Sequence, residues 1–181
     1  MNVIKTTIPG LLILEPRVFK DSRGYFFESF SQKLFDEMVA PVRFVQDNES
    51  RSVKGVVRGL HFQKPPYTQA KLVRCTRGRV LDVVVDIRKG SNTFGKSFCA
   101  VLSEENHLQL YIPKGFAHGF SVLSDVAVFQ YQCDEYYHPE AEAGISALDP
   151  SLGIDWLIPV DEMILSEKDM HRPNLTQEDA I

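Results

Sequence analysis

The segment Val57–Gln63 carries side chains suited to acid–base chemistry. Alternation along a strand predicts that His61 and Gln63 point to the same face. An imidazole titrates near pH 6.5, so it can accept a proton at neutral pH. A lone histidine on an inner face is usually a hydrogen-bonded core residue, but Arg58 lies close by and Lys71 follows ten residues later. This setting favours a general base.

A phenol offers a second group for proton transfer. Tyr131 has the same strand parity as Phe129 and Cys133, which predicts that it points inward. Two interpretations remain open for it from the residues alone. A buried tyrosine can simply pack and find one hydrogen-bond partner. It can also donate a proton to a group that faces a histidine across a cavity.

The segment Ile112–Phe120 contains the pattern Pro-x-Gly-x-x-His, which ends at His118 and occurs in cupin-type barrels. In metal-binding cupins, an earlier His-x-His and a glutamate complete the ligand set. This chain has His61-Phe-Gln63 at the corresponding place, so His118 lacks enough imidazole partners for a transition-metal site. The sequence therefore predicts that no metal takes part in the chemistry.

Charge is unevenly distributed along the chain. The formal net charge is −4, which argues against general nucleic-acid binding. Residues 51–79 nevertheless contain no Asp or Glu. A basic segment in an acidic protein predicts a local site for one small anion, although solvated side chains on outer strand faces explain it equally well. The basic residues are Arg51, Lys54, Arg58, Lys64, Lys71, Arg74, Arg77 and Arg79.

Alternation of apolar and polar residues recurs along the chain, with turn sequences between the alternating runs. Short strands at this spacing indicate an all-β sandwich or barrel rather than β-α-β units. The clearest predicted strands are Lys71–Cys75, Gly78–Ile87, Ser97–Leu102 and Val126–Cys133.

Helical pattern is scarce. Ser31–Met38 has a capping serine and apolar residues at helical spacing, and Pro41 ends it. Short helices are also expected near Pro159–Met163 and at Ser166–Asp169. No repeat, low-complexity run or linker interrupts the chain. We therefore predict one domain over residues 1–181, with a short helical or irregular tail from about residue 160.

Composition excludes several classes of protein. The chain has 181 residues, of which 44% are hydrophobic and 24% charged, as is typical of a globular protein. No apolar run approaches the roughly 18 residues needed to cross a bilayer. The first residues lack the layout of a signal peptide. Cys75, Cys99 and Cys133 are expected to be reduced, buried thiols, and the protein is expected to be cytoplasmic.

Taken together, these motifs resemble the dTDP-4-dehydrorhamnose 3,5-epimerase family. The resemblance covers about residues 1–175, and its most specific part is Arg-Gly-Leu-His-Phe-Gln followed by Gln-x-Lys-Leu-Val. The motifs, in order, are Asp21–Glu28, Gln46–Asn48, Val57–Gln63, Gln69–Val73, Ile112–Phe120, Tyr131, Tyr137 and Ser166–Asp169.

The resemblance implies a cupin-like jelly-roll barrel with a few short peripheral helices. It also implies a homodimer and an epimerase that uses neither metal nor cofactor. The reaction would invert the two carbons that flank a 4-keto group in dTDP-4-keto-6-deoxyglucose. Inversion next to a ketone needs a base on one face, an acid on the other and a cation near the carbonyl oxygen.

The family assigns a role to each matching position. His61 is similar to the base, Tyr131 to the acid, Asp169 to the carboxylate paired with the histidine, and Lys71 to the lysine near the sugar's C4 oxygen. Tyr137 resembles the aromatic residue that stacks on thymine. Arg23 and Glu28 are implied to reach the neighbouring subunit's site. The implied substrate-binding residues are Arg23, Glu28, Gln46, Asn48, Arg58, Lys71, His118, Tyr137, Glu142 and Lys168.

Two alternatives stay open. Near relatives act on one carbon only, or on other nucleotide sugars, and keep much of this set of residues. A single-centre epimerase or ketoisomerase is therefore one alternative. The other is a cupin-like module that binds a nucleotide sugar without turning it over. The absence of Gly-x-Gly-x-x-Gly between a strand and a helix argues against a dehydrogenase.

Overall fold

Strands make up most of the regular structure in the computed structural model, which describes all of residues 1–181. Thirteen strands occur. They are β1 (Asn2–Lys5), β2 (Leu12–Glu15), β3 (Phe19–Asp21), β4 (Gly24–Phe26), β5 (Gln46–Val53), β6 (Val57–Gln63), β7 (Lys71–Arg77), β8 (Arg79–Asp86), β9 (Ser97–Ser103), β10 (Gln109–Ile112), β11 (Phe116–Val122), β12 (Val126–Cys133) and β13 (Glu142–Gly144). The two α-helices are α1 (Gln32–Met38) and α2 (Glu167–Met170). Single 3₁₀ turns occur at Pro139–Ala141, Pro150–Leu152, Val160–Glu162 and Gln177–Asp179.

Two antiparallel sheets form the barrel. The six-stranded sheet has the order β1-β2-β10-β7-β12-β5, and the five-stranded sheet has the order β13-β6-β11-β8-β9. Most neighbours in these sheets are far apart in sequence, as in a jelly roll. Alternate residues of both sheets meet in a central cluster that includes Val73, Val84, Phe120 and Phe129. The predicted all-β jelly-roll fold is confirmed.

The outer face of each sheet has its own apolar cover. Phe35 of α1 packs with Leu72 and Tyr111 on the six-stranded sheet. The chain after β13, including Leu152 and Trp156, packs on the outer face of the five-stranded sheet. This second cover positions α2 beside β6. None of the helices has the length and apolar character needed to span a membrane.

Most predicted elements are found. The four predicted strands correspond to β7, β8, β9 and β12, and α1 begins where expected because the Ser31 side chain accepts a hydrogen bond from the Leu34 backbone. One prediction about the cysteines is wrong. Cys75 and Cys133 are buried, but Cys99 is exposed. Cys99 lies on β9, the edge strand of its sheet, where the outer cover is incomplete.

A β-bulge in β6 controls which side chains face the barrel interior. His61 pairs with His118 of β11, whereas Arg58 pairs with Phe120, so three steps along β6 match two along β11. The bulge therefore brings Arg58 to the same face as His61, which strict alternation does not predict. Gly59, at the bulge, has φ +126°, and an added Cβ would lie 2.6 Å from the Gly119 Cα.

We predict that Gly59→Ala lowers the free energy of unfolding by about 2 kcal/mol more than Gly24→Ala does. The reason is that the methyl group added at Gly59 meets backbone atoms of β11. Gly24 is the matched control, since its φ is +131° and no atom lies within 4 Å of an added Cβ. Urea unfolding of both variants measures the difference. Equal losses in the Gly59→Ala and Gly24→Ala variants would contradict the prediction, because they would show that the close approach of β6 and β11 does not affect stability.

Candidate active site

A cavity of about 410 Å³ opens between the two sheets, and its volume lies in the range of small-molecule sites. Strands of both sheets line it. The lining residues are Gln46, Asn48, His61, Phe62, Gln63, Gln69, Lys71, Tyr131, Cys133, Tyr137 and Glu142. Besides His61 and Tyr131, five of the predicted site residues line this cavity, and Asp169 and Lys168 each contact a residue that does.

His61 projects from β6, in the five-stranded sheet, and is paired with a buried carboxylate. Its Nε2 lies 2.6 Å from Asp169 Oδ1, so Nε2–H donates to the carboxylate and Nδ1 is left to act as a base. The Ser166 hydroxyl caps α2 by accepting from the Asp169 backbone N–H, which fixes the start of the helix. The predicted pairing of His61 with Asp169 is therefore present in the geometry.

The environment of Asp169 keeps this carboxyl group ionised. Burial raises the pKa of Asp169, but the hydrogen bonds from His61 and the Ser166 hydroxyl outweigh this effect, so the pKa lies below its ordinary value. An ionised Asp169 holds the imidazole in one tautomer and stabilises the imidazolium that would form when His61 accepts a proton.

Tyr131 projects from β12, in the six-stranded sheet, and lines the same cavity as His61. It is directly opposite Asn48 of β5 in the strand pairing. Burial raises the pKa of the Tyr131 phenol above its usual value, so the group is held in the protonated form. The imidazole and the phenol thus come from opposite walls of one open cavity.

Lys71 places a cation beside this pair. Its Nζ lies 5.9 Å from the centre of the Tyr131 ring, and the residue is directly opposite Cys133 on the neighbouring strand. Burial lowers the pKa of the Lys71 ammonium, an effect that the negative charge of Asp82 partly offsets. Cations and preorganised donors placed where negative charge develops are typical devices for stabilising an enolate.

A second histidine–carboxylate pair lies next to His61. His118 is directly opposite His61 across the β6–β11 pairing, and its Nε2 lies 2.9 Å from Asp82 Oδ2. Both members of this pair are buried, and neither lines the cavity. Sequence reasoning missed Asp82, although an acid at an inward-facing position of the apolar run Val80–Val85 was a usable signal.

Predicted binding residues gather at the rim of the cavity. Glu142 accepts a hydrogen bond from the Tyr137 hydroxyl, at 2.6 Å, and forms an ion pair with Lys168, also at 2.6 Å. Burial raises the pKa of Glu142, but these partners and Arg172 lower it below its usual value. Gln46 accepts a hydrogen bond from the Tyr137 backbone and donates one to Asn48.

The basic segment does not form one continuous anion site. Of its eight residues, Lys71 lines the cavity, and Arg58 donates to Ser52. Burial raises the pKa of Tyr131, and the charge of Arg58 offsets part of that effect. Arg74 is bound to Gln130 on the opposite face of its strand from Lys71. The interpretation as solvated outer side chains therefore accounts for much of the segment, while Lys71 lines the cavity and Arg58 lies near Tyr131.

Arg23 and Glu28 lie away from the cavity of their own chain. Arg23 is highly exposed beside the turn between β3 and β4 and forms an ion pair with Asp21. Glu28 lines a different cavity of about 320 Å³, near α1. The structure of one chain therefore does not bring these two residues together with His61.

Besides Phe62, three lining residues were not predicted as site residues. Gln63 donates to the Tyr67 and Tyr136 carbonyl groups and accepts from the His138 backbone, so it holds the loop that carries Tyr137. The Gln69 amide also binds carbonyl groups of this loop. Burial raises the pKa of the third, Cys133, to about 11. Only the strand parity of Gln63 and Cys133 pointed to them in the sequence.

No group of three His, Cys, Asp or Glu side chains has the arrangement needed to hold a metal ion. His61 and His118 are neighbours in the sheet, yet each is engaged with its own carboxylate. The independence of the chemistry from metals stays a prediction.

Comparison with known proteins identifies the family of the chain. The family model described as dTDP-4-dehydrorhamnose 3,5-epimerase matches residues 5–177. The chain belongs to the dTDP-4-dehydrorhamnose 3,5-epimerase family. An Escherichia coli K12 protein of this family is 58% identical over 170 residues, which cover 93% of this chain and 91% of the relative.

Solved structures of the epimerase family share the fold along nearly the whole chain. An epimerase from Legionella pneumophila in complex with dTDP-4-keto-L-rhamnose is 50% identical, with a TM-score of 0.94 and coverage of 99% of this chain and 96% of that one. A 3′-monoepimerase from Streptomyces bikiniensis in complex with dTDP-quinovose is 35% identical, with a TM-score of 0.87 and coverage of 94% and 86%.

Proposed function

We propose that this protein inverts C3 and C5 of dTDP-4-dehydro-6-deoxy-D-glucose to give dTDP-4-dehydro-L-rhamnose, the activity named for its family. One observation carries the proposal. His61 and Tyr131 line one cavity from opposite sheets, with the Lys71 ammonium beside them.

Proton removal is the first step at each carbon. His61 Nδ1 takes the proton from the carbon next to the ketone, the C–H electron pair forms a C=C bond, and the carbonyl oxygen gains the negative charge. Lys71 stabilises that oxygen, and Asp169 stabilises the imidazolium. A single preorganised donor of this kind contributes roughly 3–4 kcal/mol to lowering a barrier.

Reprotonation from the opposite face completes the inversion. The enolate electrons return to form the carbonyl group, and the Tyr131 hydroxyl supplies the new C–H proton. Tyr131 is then reprotonated by solvent and His61 releases its proton to solvent, so the reaction has no net change in protons. Because its pKa is raised, the Tyr131 phenol stays protonated until the enolate forms.

The remaining predicted residues would bind the nucleotide. Tyr137 would stack on thymine, and Arg58 would pair with the diphosphate through parallel hydrogen bonds. Arg23 and Glu28 would reach the site of a second copy, which explains their distance from their own cavity and requires a homodimer. Among the other proposed contacts, Gln46, Asn48, Lys71 and Glu142 line the cavity, Lys168 is bound to Glu142, and His118 lies outside the lining, next to His61 in the strand pairing.

We further propose that residues 1–181 work as one jelly-roll domain in the cytoplasm. The acidic net charge supports a small-molecule substrate over a nucleic acid, and the cavity that holds His61 and Tyr131, with its mixed polar and apolar lining, supports the same conclusion.

Incubation with the 4-keto-6-deoxyglucose nucleotide in heavy water tests the function. We expect deuterium at both C3 and C5 of an inverted product, measured by NMR. Label at one carbon would instead indicate a single-centre epimerase, an activity that the similarity to the 3′-monoepimerase makes a concrete alternative. Absence of label would indicate a binding module and overturn the proposal.

Metal independence is a separate prediction. Because the mechanism uses only His61, Tyr131, Asp169 and Lys71, dialysis against a strong chelator is expected to leave the initial rate unchanged. Loss of the rate, with recovery after a divalent metal is added back, would contradict this account of the chemistry.

A further inference from the structure

The Glu142 carboxylate, at the rim of the cavity, has more polar partners than a role in substrate binding alone requires. Glu142 Oε1 is bound both by Lys168 Nζ, at 2.6 Å, and by an Arg172 guanidinium nitrogen, at 2.7 Å. Its Oε2 accepts from the Tyr137 hydroxyl, at 2.6 Å. Two cations and one phenol therefore meet at a single side chain that lines the cavity.

The two cations are not equivalent. The Lys168 side chain is 58% exposed, whereas Arg172 is 13% exposed and Glu142 15%. An exposed ion pair contributes little, because water screens it and a long side chain loses rotamer freedom. A desolvated pair fixes its members more strongly, and loss of one member leaves the other charge buried without a partner. Arg172 is therefore the dominant anchor of Glu142.

The surroundings of Arg172 are shaped to hold it there. A Cβ added at Gly144, two residues after Glu142, would lie 2.8 Å from Arg172 Nε, so the glycine leaves room for the guanidinium. Nε is buried without a hydrogen-bond partner. The ion pair with Glu142 is thus the polar contact that determines the position of Arg172.

Arg172 also connects the segment that carries Asp169 to the rim of the cavity at Glu142. It follows α2, which carries Asp169, and its backbone N–H donates to the Asp169 carbonyl group. Glu142 belongs to β13, and the Tyr137 phenol is bound to it. Arg172 therefore links the segment that holds the His61 partner to the residues at the nucleotide end of the cavity.

We propose that Arg172 is a positioning residue for nucleotide binding. It holds the Glu142 carboxylate in place at the rim, and Glu142 in turn holds the Tyr137 ring in the orientation that accepts the base. This inference rests on the proposed function, because it takes the nucleotide to be the ligand that Tyr137 and Glu142 contact. Arg172 itself does not line the cavity and does not touch the reacting carbons.

Three variants test this role. Arg172→Gln removes the charge, Arg172→Lys keeps it, and Arg43→Gln is the control, since Arg43 is exposed and makes no side-chain hydrogen bond or ion pair. For Arg172→Gln we expect about a tenfold rise in KM and in the Kd for dTDP, with kcat within about twofold of the parent. Arg172→Lys should recover most of the dTDP affinity, and Arg43→Gln should match the parent.

Calorimetry with dTDP keeps this test separate from the test of turnover. Failure of the unchanged protein to convert the sugar would count against the proposed function, while the dTDP affinities of the variants still report on Arg172. Unchanged affinity in a folded Arg172→Gln variant, or a fall in kcat without a change in KM, would overturn the proposal. Where Arg172→Gln does not fold, Arg172→Lys decides alone: about a tenfold loss of dTDP affinity in this charge-retaining variant contradicts the proposal.

Discussion

Replacement of His61 by asparagine is expected to lower the rate of hydrogen exchange at the substrate carbons by about 10³-fold, in the range of general-base catalysis. Asparagine is close in size to histidine but cannot accept the proton. His61 is the imidazole that lines the cavity, and Asp169 engages its Nε2, so Nδ1 is the available base. NMR detection of deuterium incorporation in heavy water measures the loss.

His107→Asn is the control for this prediction. His107 lies outside the cavity, where its ring packs at a tilt against Tyr25 and Phe27, and its φ of +55° is one that asparagine tolerates. We expect parental exchange in this variant. Exchange at the parental rate in folded His61→Asn would place the base elsewhere.

Replacement of Tyr131 by phenylalanine is expected to separate proton removal from inversion. The rate of formation of inverted product should fall by about 10²- to 10³-fold, whereas exchange at the substrate carbons should fall by less than about tenfold. The reason is that His61 can still remove a proton and return one to the same face, while the acid on the opposite wall is missing. Paired measurements of product and of label in recovered substrate give both rates.

Tyr111→Phe provides the matched control for the loss of a phenol hydroxyl. Tyr111 is a buried tyrosine of the same six-stranded sheet, but it packs on the outer face against Phe35. This variant should form product at the parental rate. Product formation at the parental rate in Tyr131→Phe as well would remove Tyr131 from the mechanism.

Local patterns in the sequence predicted the elements of the fold well. Alternation located β7, β8, β9 and β12, because one face of each strand must be buried. Ser31 and Pro41 bounded α1 for reasons of backbone hydrogen bonding that act within a few residues. The order of strands in the sheets depends on contacts between distant parts of the chain, and for it only the family resemblance was informative.

The candidate site was predictable where the chemistry needs a particular side chain, and less so where tertiary packing supplies the partner. The bulge at Gly59 changes which face Arg58 occupies, and no alternation rule contains it. The pairing of Asp82 with His118 and of Arg172 with Glu142 becomes visible only when segments far apart in sequence meet in the fold. The remote position of Arg23 likewise follows from the fold and not from its motif.

In the proposed mechanism, an imidazole and a phenol act on opposite faces of one sugar ring. A crystal structure of the protein with the bound 4-keto sugar nucleotide tests it most directly. We expect His61 Nδ1 and the Tyr131 hydroxyl to lie on opposite faces of the ring, each within about 3–3.5 Å of the carbon on which it acts, with Lys71 Nζ at the ketone oxygen. A ring bound outside the cavity, or with both groups on one face, would contradict the account.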